Sequence, residues 1–195
     1  MRSQKIIQMA EIALMSAVLC VLAPFSIPIP ISPVPLSLAT FAVYLSGALL
    51  GVKKGTTSVL VYLLLGAVGL PVFSGFSGGI GKLLGPTGGY IMGYLPCVLA
   101  VGFFWENGVP GQRKGKRMCR WQQISWKVFA MVLGTFFCYI IGTIWFFIVM
   151  QGTYSFAQAF LICVAPYLVF DLLKIMVVAA IATPIRNVLR KMNFV

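Results

Sequence analysis

Two charged residues, Asp171 and Lys174, lie three positions apart inside a long apolar stretch of the sequence. Residues at that spacing share one face of a helix, so the two side chains can contact each other or bind one ligand between them. Each charge costs roughly 2.5–3.5 kcal/mol at the centre of a membrane helix, and such residues usually mark function. Because a carboxylate accepts N–H donors and an ammonium binds an anion, the pair predicts a small-molecule site. A self-neutralising structural salt bridge is the alternative.

The rest of the sequence offers little for catalysis. Glu11 and Glu106 are the only other acids, and the chain contains no histidine. Paired-carboxylate and histidine chemistry both need residues that are missing, so we expect no enzyme activity, no cofactor and no metal site. The cysteines show no metal-ligand spacing and are interpreted as packing residues: Cys20, Cys97, Cys119, Cys138 and Cys163.

A glycine-rich stretch, residues 74–90, looks at first like a phosphate-binding loop but fails its spacing rule. Five residues separate Gly75 from Gly81 where four are required, and Leu83 stands where Ser or Thr would meet magnesium. Any work driven by ATP would then need another subunit. The glycines instead predict close approach of the backbone to a ligand.

Small residues recur at every fourth position in three segments: Ala13 and Ala17, Gly47 and Gly51, and Gly89 and Gly93. Such faces let membrane helices approach closely, and packing within the chain accounts for most of them. The Ala13/Ala17 face is the candidate for binding a partner helix.

The composition indicates what must position these side chains. Of the 195 residues, 60% are hydrophobic and 9% are charged, and the mean hydropathy is +0.99. A soluble domain carries charge on about a quarter of its residues, so most of this exterior must face lipid. The sequence predicts an all-α membrane protein with a single transmembrane domain over residues 1–195, built as a bundle of six transmembrane helices.

Six apolar segments alternate with turns or charged linkers: residues 6–23, 36–50, 56–70, 90–105, 126–150 and 157–183. They are too long and too uniformly apolar for strands, so helices are predicted. The second and third are short for a crossing of about 20 residues, and a buried re-entrant hairpin is the alternative there. A signal peptide is the alternative for the first segment.

Basic residues predict the orientation of these helices. If six segments cross, all Lys and Arg residues except Lys82 and Lys174 fall on loops of one face. Cytoplasmic loops retain Lys and Arg, so both termini are predicted to be cytoplasmic, in a multi-pass protein of the cell membrane. The basic cluster at residues 113–120 is expected to touch anionic membrane lipid rather than nucleic acid.

This topology puts two unusual loops on the outer side, the proline-rich residues 24–35 and the glycine-rich residues 71–89. Irregular backbone cannot face lipid, because its N–H and C=O groups would lack partners. Two apolar lids that fold over the bundle predict a cavity open to the outside, with ordinary tight loops as the alternative. The charged pair lies near the outer face if its helix restarts at Pro166, and nearer mid-depth if it starts at Ala157.

Several stretches, taken in order and spacing, are similar to one family. They are residues 28–35 (PIPISPVP), 47–51 (GALLG), 62–73 (YLLLGAVGLPVF), 85–90 (GPTGGY) and 171–174 (DLLK). Over nearly its whole length the chain resembles the biotin transporter BioY family. It differs at Ala39, where the family often has Gln, and at Val169-Phe170, where Pro-Gly is common. Lys82 stands at a position that is usually apolar.

The resemblance implies a substrate-binding S-component of an energy-coupling-factor transporter. Such a subunit captures biotin from outside and works with a transmembrane coupling protein and two cytoplasmic ATPases. The resemblance also implies that Asp171 and Lys174 bind ligand and that Ala13 and Ala17 face the coupling protein. Further implied ligand-binding residues, most of them in the glycine-rich loop, are Gly78, Gly79, Gly85, Thr87, Gly88, Tyr90 and Tyr167.

The residues can meet the chemistry of biotin, which has a ureido ring with two N–H donors, an apolar thioether ring and an anionic tail. Its site needs an acceptor, an apolar lining and a cation. Asp171 can supply the acceptor, the apolar loop residues the lining, and Lys174 or Lys82 the cation. A self-sufficient secondary transporter or channel for a small anionic solute is the alternative.

Overall fold

The computed structural model describes residues 2–30, 32–107, 120–150 and 156–191. Along these residues the chain forms α1 (Arg2–Leu22), β1 (Ser26–Ile29), β2 (Ser32–Ser37), α2 (Ala39–Val68), α3 (Ile80–Leu84), α4 (Gly88–Met92), α5 (Tyr94–Asn107), α6 (Arg120–Val149) and α7 (Phe156–Lys191). Five helical stretches are long and apolar enough to cross a membrane. The predicted helical membrane fold is confirmed.

Helix α2 explains why the described part of the chain has five long apolar helices where six segments were predicted. Helix α2 is interrupted at Gly51, which has the non-helical angles φ 76° and ψ −163°. The Ser46 hydroxyl lies 2.8 Å from that of Ser58, although these residues would be about 18 Å apart along a straight helix. The chain therefore folds back at Gly51, and residues 39–50 and 52–68 are the two arms that correspond to the second and third predicted segments.

A carboxylate fixes this corner. Glu106, near the end of α5, accepts the Val52 N–H at 3.0 Å through Oε1, which satisfies a donor at the start of the second arm. A Cβ added at Gly51 would lie 2.0 Å from the same oxygen. Glycine is thus required both for its positive φ and for the close approach of Glu106.

The proline-rich residues were expected to be irregular, but they form a two-stranded antiparallel sheet. Ser26 pairs with Ser37 and Ile29 with Ser32, with an irregularity in the register between Ile27 and Ile29. Proline cannot donate to a ladder, yet each strand of a two-stranded sheet is an edge strand, where proline is tolerated. In this β1–β2 hairpin, hydrogen bonds between the strands satisfy backbone N–H and C=O groups of an apolar loop without a long helix.

The glycine-rich stretch also contains more structure than its composition indicated. It forms the short helices α3 and α4, and the fourth membrane segment begins at Gly88 rather than at Tyr90. Helix α4 continues into α5 because Gly93 keeps helical angles, φ −62° and ψ −15°. The loop is tied to α6, since the Trp145 indole N–H donates to the Gly85 carbonyl at 3.0 Å.

Helices α6 and α7 are longer than predicted. Helix α6 begins at Arg120, inside the expected linker, and α7 continues through Pro166 and Pro184. Because the helix does not restart at Pro166, Asp171 lies about 22 Å along α7 from its first residue. This agrees with the mid-depth alternative.

The bundle is organised around α2, which packs against α1, α5 and α7, while α6 packs against α4, α5 and α7. Its core includes the fully buried aromatic side chains of Tyr44, Tyr62, Phe73 and Phe146. The exterior is apolar, as a surface facing lipid must be. On α1 the exposed large side chains are Ile6, Met9, Leu14 and Val21.

Candidate functional site

Asp171 and Lys174 lie in the wall of a cavity lined by the β1–β2 hairpin and by residues of five helices, α2, α4, α5, α6 and α7. Strand β2 contributes Val34, Pro35, Leu36 and Ser37, and α2 contributes Thr40. The remaining described lining residues are Tyr90, Tyr94, Cys138, Tyr139, Cys163, Tyr167, Asp171 and Lys174. The chain thus surrounds one ion pair with apolar and aromatic side chains.

The ammonium of Lys174 has three oxygen partners. It lies 2.9 Å from Asp171 Oδ1, 2.9 Å from Thr40 Oγ1 and 2.7 Å from the Ser37 carbonyl oxygen. Three acceptors match the three N–H donors of an ammonium. The side chain is 10% exposed, so these bonds replace most of the water that the charge would otherwise need.

The carboxylate of Asp171 is fixed at both oxygens. Oδ1 receives the Lys174 ammonium and the Thr40 hydroxyl, the latter at 3.2 Å. Oδ2 receives the Tyr139 hydroxyl at 2.5 Å. Donors from α2, α6 and α7 therefore hold one carboxylate in a single orientation, with 6% of its side chain exposed.

The junction between β2 and α2 brings the hairpin to this pair. The Ser37 hydroxyl donates to the Ala23 carbonyl at 2.8 Å and accepts the Ala39 N–H at 3.0 Å. This is the role of a side chain at a helix start, where backbone N–H groups lack helical partners. With its hydroxyl so engaged, Ser37 presents its carbonyl to Lys174, and Thr40 follows in the first turn.

Tyrosines form much of the remaining wall. The Tyr167 hydroxyl donates to the Val34 carbonyl and ties α7 to the hairpin. The Tyr90 hydroxyl lies 3.2 Å from Thr143 Oγ1, which ties α4 to α6. Since both hydroxyls have protein partners, the rings offer apolar faces to the cavity.

The cavity is narrow as it stands. The space open to the centre of a water molecule is about 50 Å³, which is room for a few waters. A larger ligand must therefore break some of the hydrogen bonds among Lys174, Asp171, Thr40 and Tyr139 and replace them with bonds to its own polar groups.

The structure brings together four of the residues predicted to bind a ligand. Asp171, Lys174, Tyr90 and Tyr167 all line the cavity. Sequence reasoning did not single out Thr40 and Tyr139, although both bond directly to Asp171. Thr and Tyr are common in membrane helices, so neither residue stands out in the sequence. Their importance becomes visible only when the fold places them beside Asp171.

The other predicted loop residues lie outside the described cavity lining: Gly78, Gly79, Lys82, Gly85, Thr87 and Gly88. Two of these glycines permit close backbone contacts within the loop. A Cβ at Gly78 would lie 2.2 Å from the Leu70 carbonyl oxygen, and one at Gly88 would lie 1.6 Å from that of Leu83. Thr87 is buried at the start of α4, and Lys82 is half-buried on α3.

The predicted partner face is accessible. Ala13 and Ala17 are both exposed on α1. Glu11, on the same helix, forms an ion pair with Lys54 at 2.6 Å, which attaches α1 to the second arm of α2. This contact leaves the alanine face of α1 uncovered.

Comparison with known proteins decides the family, because the model of the BioY family matches residues 1–191. The chain belongs to the BioY family. "Biotin transporter BioY" of Thermotoga maritima is 35% identical over 161 residues, covering 83% of this chain and 86% of that protein. "Probable biotin transporter BioY" of Pyrococcus horikoshii is 37% identical over 148 residues, covering 76% and 78%.

A solved structure shares the BioY fold found here. It is a crystal structure of the S-component for biotin from an ECF-type ABC transporter, with a TM-score of 0.82 and 28% identity. The match covers 96% of this chain and 94% of that one. These BioY relatives are named as transporters, which confirms the prediction that the chain is a multi-pass membrane protein and not an enzyme.

Proposed function

We propose that this chain is the membrane-embedded subunit that binds biotin for uptake into the cell. The observation that carries the proposal is the Asp171–Lys174 pair, which lines a cavity beside the hairpin in a chain of the BioY family. Burying a charged pair in a membrane costs free energy, and such pairs usually mark a functional site such as one that binds a polar ligand.

The geometry of the pair matches the ureido group of biotin. That group carries N–H donors beside a carbonyl acceptor, and the pair offers a carboxylate beside an ammonium 2.9 Å away. Asp171 accepts a ureido N–H, and Lys174 donates to the ureido oxygen. The apolar thioether ring then lies against Tyr90, Tyr94 and Tyr167, whose rings line the same cavity.

The anionic tail of biotin needs a second cation, because one compact ion pair cannot meet both ends of an extended ligand. Lys82 is the candidate. It is half-buried on α3 and is the basic residue that the charge pattern assigns to the outer side. This role is proposed from the positive charge of Lys82 and from its predicted place on the outer side of the membrane. The loop that carries Lys82 is shaped by Gly78, Gly79, Gly85, Thr87 and Gly88.

Uptake against a gradient requires energy that this chain does not supply, since its glycine-rich loop lacks the spacing of a nucleotide site. We therefore include a transmembrane coupling protein and cytoplasmic ATPases in the proposal. The exposed Ala13/Ala17 face of α1 is the surface for the coupling protein, because small residues let a partner helix approach closely. The cell membrane is the location that this function requires.

Equilibrium binding of labelled biotin to the purified chain in detergent tests the proposal. We expect saturable binding at one site per chain, displaced by unlabelled biotin and not by an unrelated anion such as benzoate. Uptake by the chain alone in liposomes, abolished when an ion gradient is dissipated, would instead support the secondary transporter. Absence of saturable binding would overturn the proposal.

A further inference from the structure

A crevice runs between α6 and α7 on the outside of the bundle. Its walls are two helix faces with the same spacing, formed by Val132, Thr135, Phe136 and Tyr139 on α6 and by Leu168, Asp171, Leu172 and Ile175 on α7. Residues three and four apart lie on one face of a helix. Seven positions separate the ends of each face, so the crevice extends along both helices for about 10 Å.

The polar atoms in these walls are bonded to the protein. The Thr135 hydroxyl donates to the Met131 carbonyl at 2.8 Å and lies 2.6 Å from the Tyr44 hydroxyl. The Tyr139 hydroxyl donates to Asp171 Oδ2 at 2.5 Å. The other lining side chains are Val, Phe, Leu and Ile. Because the polar atoms are satisfied in this way, the crevice suits an apolar ligand.

The crevice lies at the level of the hydrocarbon. The stretches of α6 and α7 that can cross a membrane are Gln122–Val149 and Phe160–Arg186. The lining residues come from the middle part of both stretches. Since the hydrocarbon core is about 30 Å thick, the middle of a crossing helix faces the end portions of the acyl chains.

The crevice is continuous with the lipid-facing exterior. Phe136, Leu168 and Leu172 line it and are 58%, 50% and 46% exposed, so the same side chains form its walls and the outer surface. About 110 Å³ is open to the centre of a water molecule, but apolar spaces of this kind stay dry. A partner helix, about 10–12 Å across, is too wide to enter.

We infer that the α6/α7 crevice binds the end of an acyl chain of a membrane phospholipid. The chain lies along both helices against Phe136 and Leu172 and reaches the ring of Tyr139. There it has dispersion contacts with protein on two sides, which an open lipid-facing surface does not offer. The chain also covers the lipid side of the Tyr139–Asp171 hydrogen bond and keeps water from that side of the carboxylate.

Photolabelling of the purified chain tests this site. The chain is reconstituted in nanodiscs of phosphatidylcholine, part of which carries a diazirine at the end of one acyl chain, and the adducts are located by mass spectrometry. We expect the crevice residues to be labelled about fivefold more than Leu99, because a bound chain end has protein on two sides. Leu99 is the reference, since it is exposed in the middle of the span Gly88–Asn107.

Two variants fill the crevice, and a third is their matched control. Val132→Phe and Leu172→Phe each add a ring inside the lining, so labelling of the remaining crevice residues should fall to the level at Leu99. Val169→Phe adds the same ring on α7 at an exposed position outside the described lining, and it should keep the wild-type pattern. Monodisperse gel filtration and the thermal midpoint show that the variants are folded.

Three outcomes would overturn the inference. Equal labelling of the crevice and of Leu99 in the wild-type chain would mean that no chain is held there. Unchanged labelling in both filled variants would mean that the chain lies outside the crevice. Loss of the adducts when two protein chains share one nanodisc would mean that a second copy covers it. The experiment uses no biotin, so its result is independent of the proposed function.

Discussion

The hydroxyl of Tyr139 donates to Asp171 Oδ2 at 2.5 Å and joins α6 to α7 where two spaces meet. Both residues line the cavity beside the hairpin, and both also line a mostly apolar crevice between α6 and α7. Their hydrogen bond therefore holds the carboxylate in the cavity wall and separates the two spaces. The proposed function depends on this orientation of the carboxylate.

Tyr139→Phe should weaken biotin binding by about 10- to 100-fold, since a hydrogen bond to a charged group contributes about 1.5–3 kcal/mol. The substitution removes only the oxygen and keeps the ring. Isothermal titration of the purified chain measures the change. Tyr62→Phe, which alters a buried tyrosine outside the described cavity lining, should bind normally. Equal affinities for Tyr139→Phe and the wild-type chain would show that Asp171 needs no such support.

Lys174→Met should weaken the binding of biotin and of its uncharged primary amide by the same factor. The reason is that Lys174 contacts the ureido oxygen, which both ligands possess. Competition binding with the two ligands measures this factor. The folded fraction is determined first, because the variant leaves the Asp171 carboxylate without its counter-charge.

Lys82→Met is the matched comparison for that experiment. If Lys82 meets the tail, it should lower the affinity for biotin and leave that for the amide unchanged. A selective loss of biotin, but not of the amide, in Lys174→Met would instead assign the tail to Lys174 and contradict the ureido assignment.

Ala17→Trp should prevent assembly with the coupling protein while leaving biotin binding intact, because the bulky ring blocks close approach of a partner helix to α1. Co-purification with a tagged coupling protein, followed by biotin binding, measures both properties. Ala165→Trp places the same ring at another exposed alanine, on α7, and should assemble normally. Intact assembly of Ala17→Trp would exclude this face as the docking surface.

Gly51→Ala should lower the midpoint of thermal unfolding in detergent by several degrees. Alanine is strained at φ 76°, and its Cβ would displace Glu106 from the Val52 N–H. Gly81→Ala is the control, since no heavy atom lies within 4 Å of a Cβ there. A midpoint unchanged by Gly51→Ala would mean that the corner of α2 does not depend on this contact.

The fold was predictable where hydropathy alone decides it. The long apolar segments predicted the membrane helices, and the predicted end of the second segment at Leu50 falls directly before the reversal at Gly51. Lys53 and Lys54, which lie between the predicted second and third segments, are part of the second helical arm instead. The hairpin was not predictable, because a stretch rich in proline argues against strands unless every strand is an edge. The starts of α4 and α6 were also missed, since glycine and charge at these positions favour loops.

The candidate site was predictable only in part, for a similar reason. Asp171 and Lys174 were recognisable because charge is rare inside apolar segments. Thr40 was not, because its bond to Asp171 joins residues 131 positions apart and nothing local to Thr40 indicates it. The wall formed by Val34 to Ser37 likewise appears only when the hairpin lies against α7.

The central claim is that the Asp171 carboxylate receives a polar group of biotin. Titration of the purified Asp171→Asn chain with labelled biotin tests it most directly, beside Glu11→Gln, which removes the carboxylate that pairs with Lys54. We predict that Asp171→Asn binds at least about 100-fold more weakly than the wild-type chain and that Glu11→Gln binds normally. Wild-type affinity in a folded Asp171→Asn chain would contradict the account.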